Sequence, residues 1–328
     1  VRETPEHILL AERLGFARAW VYDSPLLYLD PFVTLGLAAE RTSRIGLGVG
    51  VLVPRLRTPA ATAAALRTLT ALAPGRVRAA VGAGFTGRFT LGLGPVPLGD
   101  LEREILDLRA LLAGDEAPHP EGGHPVRAIP VRGAEGGGGV PIQVSCRGPR
   151  AQALAARTGD GAMTGVFLPG GFAPLRALLG PGPPLTVHAV AAVADEAEPL
   201  DSPRLREAVG PVVAVAFHAF AEQPWRLDGL DPGLRREASR YVAAVGAELP
   251  AGRRHQELHR GHLTEVVLEA DRAVLSAANI GRFALCGTAE ELRARVAAMG
   301  AAGVSEVALQ PGGDVSEGLC RLAAALIL

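Results

Sequence analysis

Lysine is missing altogether: the 33 strongly basic residues of this 328-residue chain are all arginine. Schiff-base catalysis and Walker-type phosphate loops both need an ε-amino group at a fixed place, so both are excluded. Cysteine is scarce. Cys146, Cys286 and Cys320 stand far apart, odd in number and outside any CxxC or Cys/His cluster, which gives little support to a disulfide framework or a zinc site and suits a reducing cytoplasm. Long apolar runs are lacking as well. The longest, 185–194 and 209–220, contain His188 and His218 and are too short to span a bilayer, and no charged-then-apolar signal peptide opens the chain. Neither sign of charge prevails: 34 acidic residues leave a formal net charge of -1, with no basic stripe for nucleic acid and no acidic tail.

What is present is material for one large core, since 48% of the residues are hydrophobic. The 41 glycines and 26 prolines, with abundant alanine, point to a GC-rich bacterial genome. Ile8, Leu9, Ala11 and Leu14 recur at helical spacing within 5–14, and Gly15 follows where a C-terminal cap belongs. A buried strand over 17–23 comes next, and the unit then repeats. Helices are expected at 31–41, 60–72 and 98–112, with strands at 44–53 and 76–81 between them. The Gly/Pro-dense stretch 114–139, with His119 and His124, is expected as a long loop or hairpin excursion. Strands 140–146, 161–165 and 185–194 follow, with a helix at 148–157. A mostly helical insertion over 202–278 precedes the helix 289–299, Gly303, the strand 304–309 and a closing helix from Val315.

This alternation predicts a parallel sheet covered by helices. The expected fold is α/β, a TIM (β/α)8 barrel formed as one domain over 1–328, with the insertion 202–278 over its mouth. Seven strands are countable. An eighth belongs before Pro5, so the expectation is that the first strand is absent from this chain; otherwise another element covers the edge, because an open edge exposes unpaired backbone groups.

Several phrases, taken in order, resemble the bacterial-luciferase-like oxidoreductases. They begin with Gly15-Phe16, Trp20-Val21-Tyr22-Asp23 and Asp30-Pro31-Phe32, continue through Thr42-Ser43-Arg44-Ile45 and Pro74-Gly75-Arg76, and include Gly82-Ala83-Gly84 and Val140-Pro141-Ile142. Gly148-Pro149-Arg150, Asp160-Gly161 and Gly287-Thr288 complete the series. No single phrase is decisive; their shared order is strong. Gly82 to Arg88 and the helix from Asp100 are most similar to the branch containing methylenetetrahydromethanopterin reductase. That resemblance implies coenzyme F420, a deazaflavin, as cofactor, whereas other branches use FMN. It also places a non-prolyl cis peptide at Gly50-Val51, forming a bulge behind the cofactor ring; a plain buried strand is the competing reading.

Barrel enzymes put their chemistry at the carboxyl ends of the strands, which selects the remaining candidates. The turn Ser145-Cys146-Arg147-Gly148 leads from a strand into a helix whose free N-H groups and positive dipole end suit a phosphate. An ordinary turn capped by Ser145 would look alike. Gly82, Gly84 and Thr86, and Gly165 at the end of its strand, would let backbone approach the cofactor closely, or are simple turn residues. Asp23 ends an apolar strand and is a candidate catalytic carboxylate, or caps a helix or pairs with arginine. Ser24 follows it where some relatives carry a titrating histidine, so the acid-base scheme of those relatives does not transfer. His188 is a candidate proton donor or a hydrogen-bonded core histidine. Arg55 and Arg57 either reach an anionic ligand or lie on the surface, and His255, His259 and His262 lack a carboxylate frame for a metal.

The combined reading is hydride transfer between coenzyme F420 and a small organic substrate, by a homodimer that binds no nucleic acid, membrane or metal. An FMN-dependent monooxygenase is the first alternative. A cofactor-free barrel with a binding role or a different reaction is the second, favoured by the missing strand, Ser24, and the apolar Leu52 and Val53.

Overall fold

The structure, a computed structural model, describes residues 3–119, 122–129, 139–168 and 170–327. The chain opens with α1 (Glu3–Arg13), β1 (Arg18–Val21), α2 (Pro31–Arg41), β2 (Gly46–Leu52), α3 (Pro59–Leu72), β3 (Val77–Val81), α4 (Thr86–Phe89) and α5 (Leu98–Ala113). Then come β4 (Ile142–Ser145), α6 (Pro149–Thr158), β5 (Gly161–Gly165), α7 (Ala173–Leu179) and β6 (Leu185–Val193). Helices α8 (Pro203–Glu222), α9 (Pro232–Glu248), α10 (Arg254–Glu257), α11 (Glu269–Arg272) and α12 (Ala277–Phe283) follow. The chain ends with β7 (Leu285–Gly287), α13 (Ala289–Ala301), β8 (Glu306–Pro311) and α14 (Val315–Leu326).

Strands β1 to β7 follow one another across the sheet, and β8 pairs with β6. The pairs β1-β2, β2-β3, β3-β4, β4-β5 and β6-β7 are parallel, as the β/α alternation requires. The expected strands and main helices are present, with ends shifted by a few residues. One strand was not legible: β7 is three residues long, too short for a period-two pattern, so eight strands stand among the described residues where seven were countable. In the stretch 114–139, Ala117 and Val126 exchange backbone hydrogen bonds of 2.8 Å in both directions, the hairpin alternative; 120–121 and 130–138 lie outside the described residues.

The residues fall into two compact units. The first comprises 1–88, 94–187 and 300–308 and carries β1 to β5 with their helices. Its local structure follows from a few named groups. Asp30 caps α2 by accepting from the N-H groups of Phe32 and Val33 at 2.9 and 3.1 Å, with Pro31 at the first turn. Glu12 accepts from the backbone N-H groups of Ser43, Arg44 and Ile45 at 3.0, 2.6 and 2.8 Å, tying the α2-β2 turn to α1. Burial works against its charge, yet these donors outweigh it and hold the carboxyl below its ordinary range. Leu47 and Val49 of β2 are fully buried, with Leu35, Leu66, Leu101 and Ile105 of α2, α3 and α5 likewise in the core.

The second unit comprises 89–93, 188–299 and 309–328. It contains the whole of 202–278, which is helical as expected. Phe217 of α8 is its centre, with ring centroids 5.6, 5.3 and 6.0 Å from those of Phe220, Tyr241 and Phe283. Beside it lies a buried polar cluster. Asp271 accepts from Tyr241 at 2.7 Å and pairs with His218 at 3.1 Å, Glu222 pairs with His259 at 2.7 Å, and the His218 and His259 rings are 5.6 Å apart. No helix among the described residues is long and apolar enough to cross a membrane.

Burial lowers the basicity of His218 against the opposing pull of Asp271, and that of His262 as well, where His259 and His218 add to the effect. The folded unit therefore binds fewer protons than the unfolded chain below about pH 6.5, the unfolded value. Stability is retained above that pH and lost on acidification, by up to about 1.4 kcal/mol per pH unit for each imidazole. Thermal melts from about pH 7.5 to about pH 5.5 should show this decline, and His262→Gln should flatten it; a pH-independent melting point would contradict the assignment.

Candidate functional site

The site candidates of the first unit are organised by the inner edge of β2. Its sequence alternates, so that Gly46, Gly48 and Gly50 share one face and Leu47 and Val49 the other. Trp20 of β1 stands level with Gly48, and its indole lies across the glycine face, where a side chain at Gly48 or Gly50 would run into the ring. The Arg18 guanidinium fills the space beside Gly46 in the same way. Trp20 Nε1 donates to Glu306 at 2.8 Å, and Arg18 Nε to the same carboxylate at 3.4 Å.

Above this packing the Gly50-Val51 peptide is cis, at the position that the family resemblance implies, and the β2-β3 register shifts between Gly50 and Leu52. Gly82, just past β3, donates its N-H to the Leu52 carbonyl at 3.0 Å. A Cβ on Gly82 would stand 3.0 Å from Ser145 Cβ and 3.1 Å from Val51 Cγ2. Val51, Gly82 and Ser145, at the carboxyl ends of three successive strands, are thus brought together. Gly84 has φ +74, and the Val53 side chain occupies the space where its Cβ would be, so any other residue is both strained and blocked there. Thr86 is buried in the first turn of α4. Its neighbour Gly87 packs on Asp23 and Ser24, 3.3 Å from the Asp23 carbonyl oxygen and 3.2 Å from Ser24 Oγ when measured from a built Cβ.

After β4 the turn behaves differently from the capped alternative. The N-cap of α6 is Gly148, not Ser145, and no side chain caps the helix. Its φ of -83 suits any residue, and nothing lies within 4 Å of where a Cβ would be. Gly165 at the end of β5 faces open space too. Folding demands glycine at neither place. Cys146 is buried, donates its N-H to the Met163 carbonyl at 2.9 Å, and has its thiol pushed up to about 12 by burial, so it is no thiolate nucleophile. Arg147 is exposed, with Nη2 on the Phe167 carbonyl at 3.0 Å. An uncapped ten-residue helix start beside open glycine positions fits the phosphate-bearing tail of a ring cofactor.

Asp23 and His188 are placed differently from the expectations for catalytic groups. Asp23 is 3% exposed and accepts from Arg57 Nη1 at 2.6 Å, while Arg57 Nη2 reaches Asp30 at 2.6 Å and its guanidinium lies 5.4 Å over the Phe32 ring. Burial opposes the Arg57 charge, but the two carboxylates outweigh it and raise its pKa. Asp23 is therefore an arginine-paired carboxylate. Arg55 pairs with Asp100 at 2.7 Å and Glu104 at 3.4 Å, so neither arginine is unengaged. His188 belongs to the second unit and the other candidates to the first. Burial pulls its pKa down to about 4 against a hydrogen bond with Gln310, so the imidazole is neutral at neutral pH, a state that fits the hydrogen-bonded core histidine of the sequence reading. His259 has found a carboxylate, Glu222, yet no group of three or more His, Cys, Asp or Glu among the described residues is arranged to hold a metal.

The residue missed by sequence reading is Gln143 of β4. It is fully buried, and neither of its amide atoms has a hydrogen-bond partner among the described residues. A polar side chain inside the apolar run Ile142 to Val144, two positions before Ser145, was the available signal.

A family model described as luciferase-like monooxygenase matches residues 1–306, and the chain belongs to that family. It is similar to a 5,10-methylenetetrahydromethanopterin reductase of Methanolobus tindarius, 26% identical over 91% of this chain and 86% of the relative. An F420-dependent glucose-6-phosphate dehydrogenase of Beutenbergia cavernae is 34% identical over about half of each chain, 49% and 51%. The coenzyme F420 dependent tetrahydromethanopterin reductase of Methanopyrus kandleri has a similar structure, with TM-score 0.70 and 20% identity over 99% of this chain and 94% of that one. The α/β, TIM-barrel-type fold of the luciferase-like enzymes is thereby established.

The Asp23-Arg57 pair makes an asymmetric prediction. Arg57→Leu leaves a buried carboxylate without its partner and should cost roughly 3–5 kcal/mol, whereas Asp23→Asn, with Arg57 still held by Asp30, should cost about 1.5–3 kcal/mol. Urea unfolding of both variants measures this, and equal losses would show that the pair does not carry the asymmetry.

Proposed function

We propose that this chain is an oxidoreductase that transfers a hydride between coenzyme F420 and a small organic substrate. The carrying observation is the open, uncapped turn at Gly148 beside the junction of Val51, Gly82 and Ser145. The F420-dependent relatives support the choice of cofactor. When bound, the deazaflavin supplies the hydride chemistry. The protein's part is positional. The first-turn amides of α6 hold the phosphate, and Gly165 leaves room alongside. The cis Gly50-Val51 peptide backs the ring, and the buried surroundings of Gly82 and Cys146 keep water from it. Asp23 acts through Arg57 as a positioning carboxylate, and His188, neutral at working pH, is left as a weak base.

Two other readings stay attached to observations. The family's monooxygenase description supports FMN in place of the deazaflavin, because a backbone phosphate site does not discriminate between them. The Trp20 indole across Gly48 and Gly50 supports a barrel in which a side chain fills the ring's place. Calorimetric and fluorescence titrations with oxidised F420 and with FMN separate the three, using Gly148→Asp as control. Aspartate is a good N-cap and has room at this position, so the variant should be as stable as the wild type or gain a few tenths of a kcal/mol, while its charge should weaken phosphate binding at least about tenfold. F420 binding lost in the variant supports the proposal, a preference for FMN moves it to the monooxygenase, and binding of neither rejects a cofactor.

A homodimer is part of the same reading. On α3 the residues Ala60, Ala61, Ala64, Thr68, Ala71 and Leu72 are exposed and uncharged, with the half-exposed Arg67 at the margin of their face, and Val33 of α2 is 60% exposed. Light scattering should give twice the mass of one chain, and Ala64→Arg should return it to that of one. The three free thiols, Cys146 and Cys286 buried and Cys320 exposed, suit a reducing cytoplasm.

A further inference from the structure

Across four neighbouring strands one row of residues reads Gly50, Ala80, Gln143 and Gly161, paired in register. Barrel interiors are filled by layers of bulky side chains, and in this row Trp20 covers Gly50 and Pro184 covers Gly161, leaving a methyl group and one carboxamide as the row's own side chains. The row starts at the cis Gly50-Val51 peptide, and the residue two positions on from Gln143, on the same face, is Ser145, which meets Gly82 and Val51. Gln143 is fully buried, and neither Oε1 nor Nε2 has a hydrogen-bond partner among the described residues.

A leucine or methionine would fill the same volume without stranding an amide, so packing does not account for glutamine at this position. A primary carboxamide presents a donor and an acceptor side by side. The complementary edge is that of a cyclic imide, with an N-H next to a carbonyl, and the pyrimidinedione ring shared by flavins and deazaflavins carries one. We propose that Gln143 is the residue that recognises this imide edge: Oε1 accepts from the ring N-H and Nε2 donates to an adjacent ring carbonyl. The inference rests on the cofactor reading above. It adds a side chain that reads the ring, where the proposed contacts so far concern the tail and the backbone.

The test uses the whole chain and whichever of FMN or F420 the wild type binds, together with the derivative methylated on the imide nitrogen. The wild type should bind the methylated form at least about tenfold more weakly, by loss of one of two paired hydrogen bonds. Gln143→Leu and the shape-matched Gln143→Met should bind the parent cofactor about tenfold more weakly and should no longer distinguish the two forms. Without cofactor, both variants should melt at or above the wild-type temperature, since the stranded amide is gone; this reading does not involve activity. A variant that still discriminates as the wild type does, or a wild type indifferent to methylation, overturns the proposal while leaving the cofactor reading intact. A wild type that binds neither cofactor removes the cofactor reading, and this inference with it.

Discussion

The candidate site depends on how closely β1 and β2 can lie with a tryptophan between them and the interior. Trp20 rests on Gly48 and Gly50, and Arg18 on Gly46, so the alternation of β2 is a steric necessity: a methyl group on that face would displace the indole. The other face of the same strand, Leu47 and Val49, is fully buried. Because the period of a strand is two, a one-residue slip would exchange these faces and ruin both packings at once. The register that Trp20 enforces delivers Gly50-Val51 to its place next to Gly82, and through Gly82 to Ser145. Glu306 holds the indole N-H and the Arg18 guanidinium from below, which keeps the aromatic ring in one orientation.

Above that register, the site residues divide by what the fold asks of them. Gly84 is required by its positive φ and by Val53 against it, and Gly82 is closely hemmed by Ser145 and Val51. Gly148 and Gly165 are required by nothing in the chain itself. Positions where glycine is dispensable for folding, located at strand ends beside a helix start, are where room for a ligand is the simplest physical reason for the residue. The same logic, with the opposite sign, singles out Gln143: its amide is something the fold would be better without. Two small residues that leave space and one polar residue that lacks a partner form a consistent set.

Much of this was legible in the sequence because it is periodic or local. The β/α alternation, the proline-led starts of α2 and α6, the cap at Asp30 and the turn ending in Gly148 are written within a few residues of where they act. The cis Gly50-Val51 bond was accessible through resemblance and through nothing else. What failed to show was set by distance or brevity. Arg57 reaches Asp23 across 34 positions, and no local pattern says which of several arginines will do so. The strand β7 is too short to alternate. His188 sits in a strand pattern that fits a buried base or a protonated donor equally well, and only its surroundings, with Gln310 as partner, decide for the neutral form.

Asp23 shows how electrostatics can separate two roles that sequence position leaves merged. A carboxylate at the end of an apolar strand reads as catalytic, yet one bound to an arginine at 2.6 Å has its acceptor capacity directed away from a substrate. Arg57 in turn spans Asp23 and Asp30, and Asp30 also caps α2, so the charge of one guanidinium links the end of β1 to the start of the next helix. The pair fixes the loop from Asp23 to Asp30, which packs on Gly87 of α4. Removing charge from this linkage would act on the site through the position of α4. In the hydride-transfer function proposed above, the protein's contribution is geometry held by buried packing and one ion-paired linkage, with the reacting electrons supplied by the cofactor.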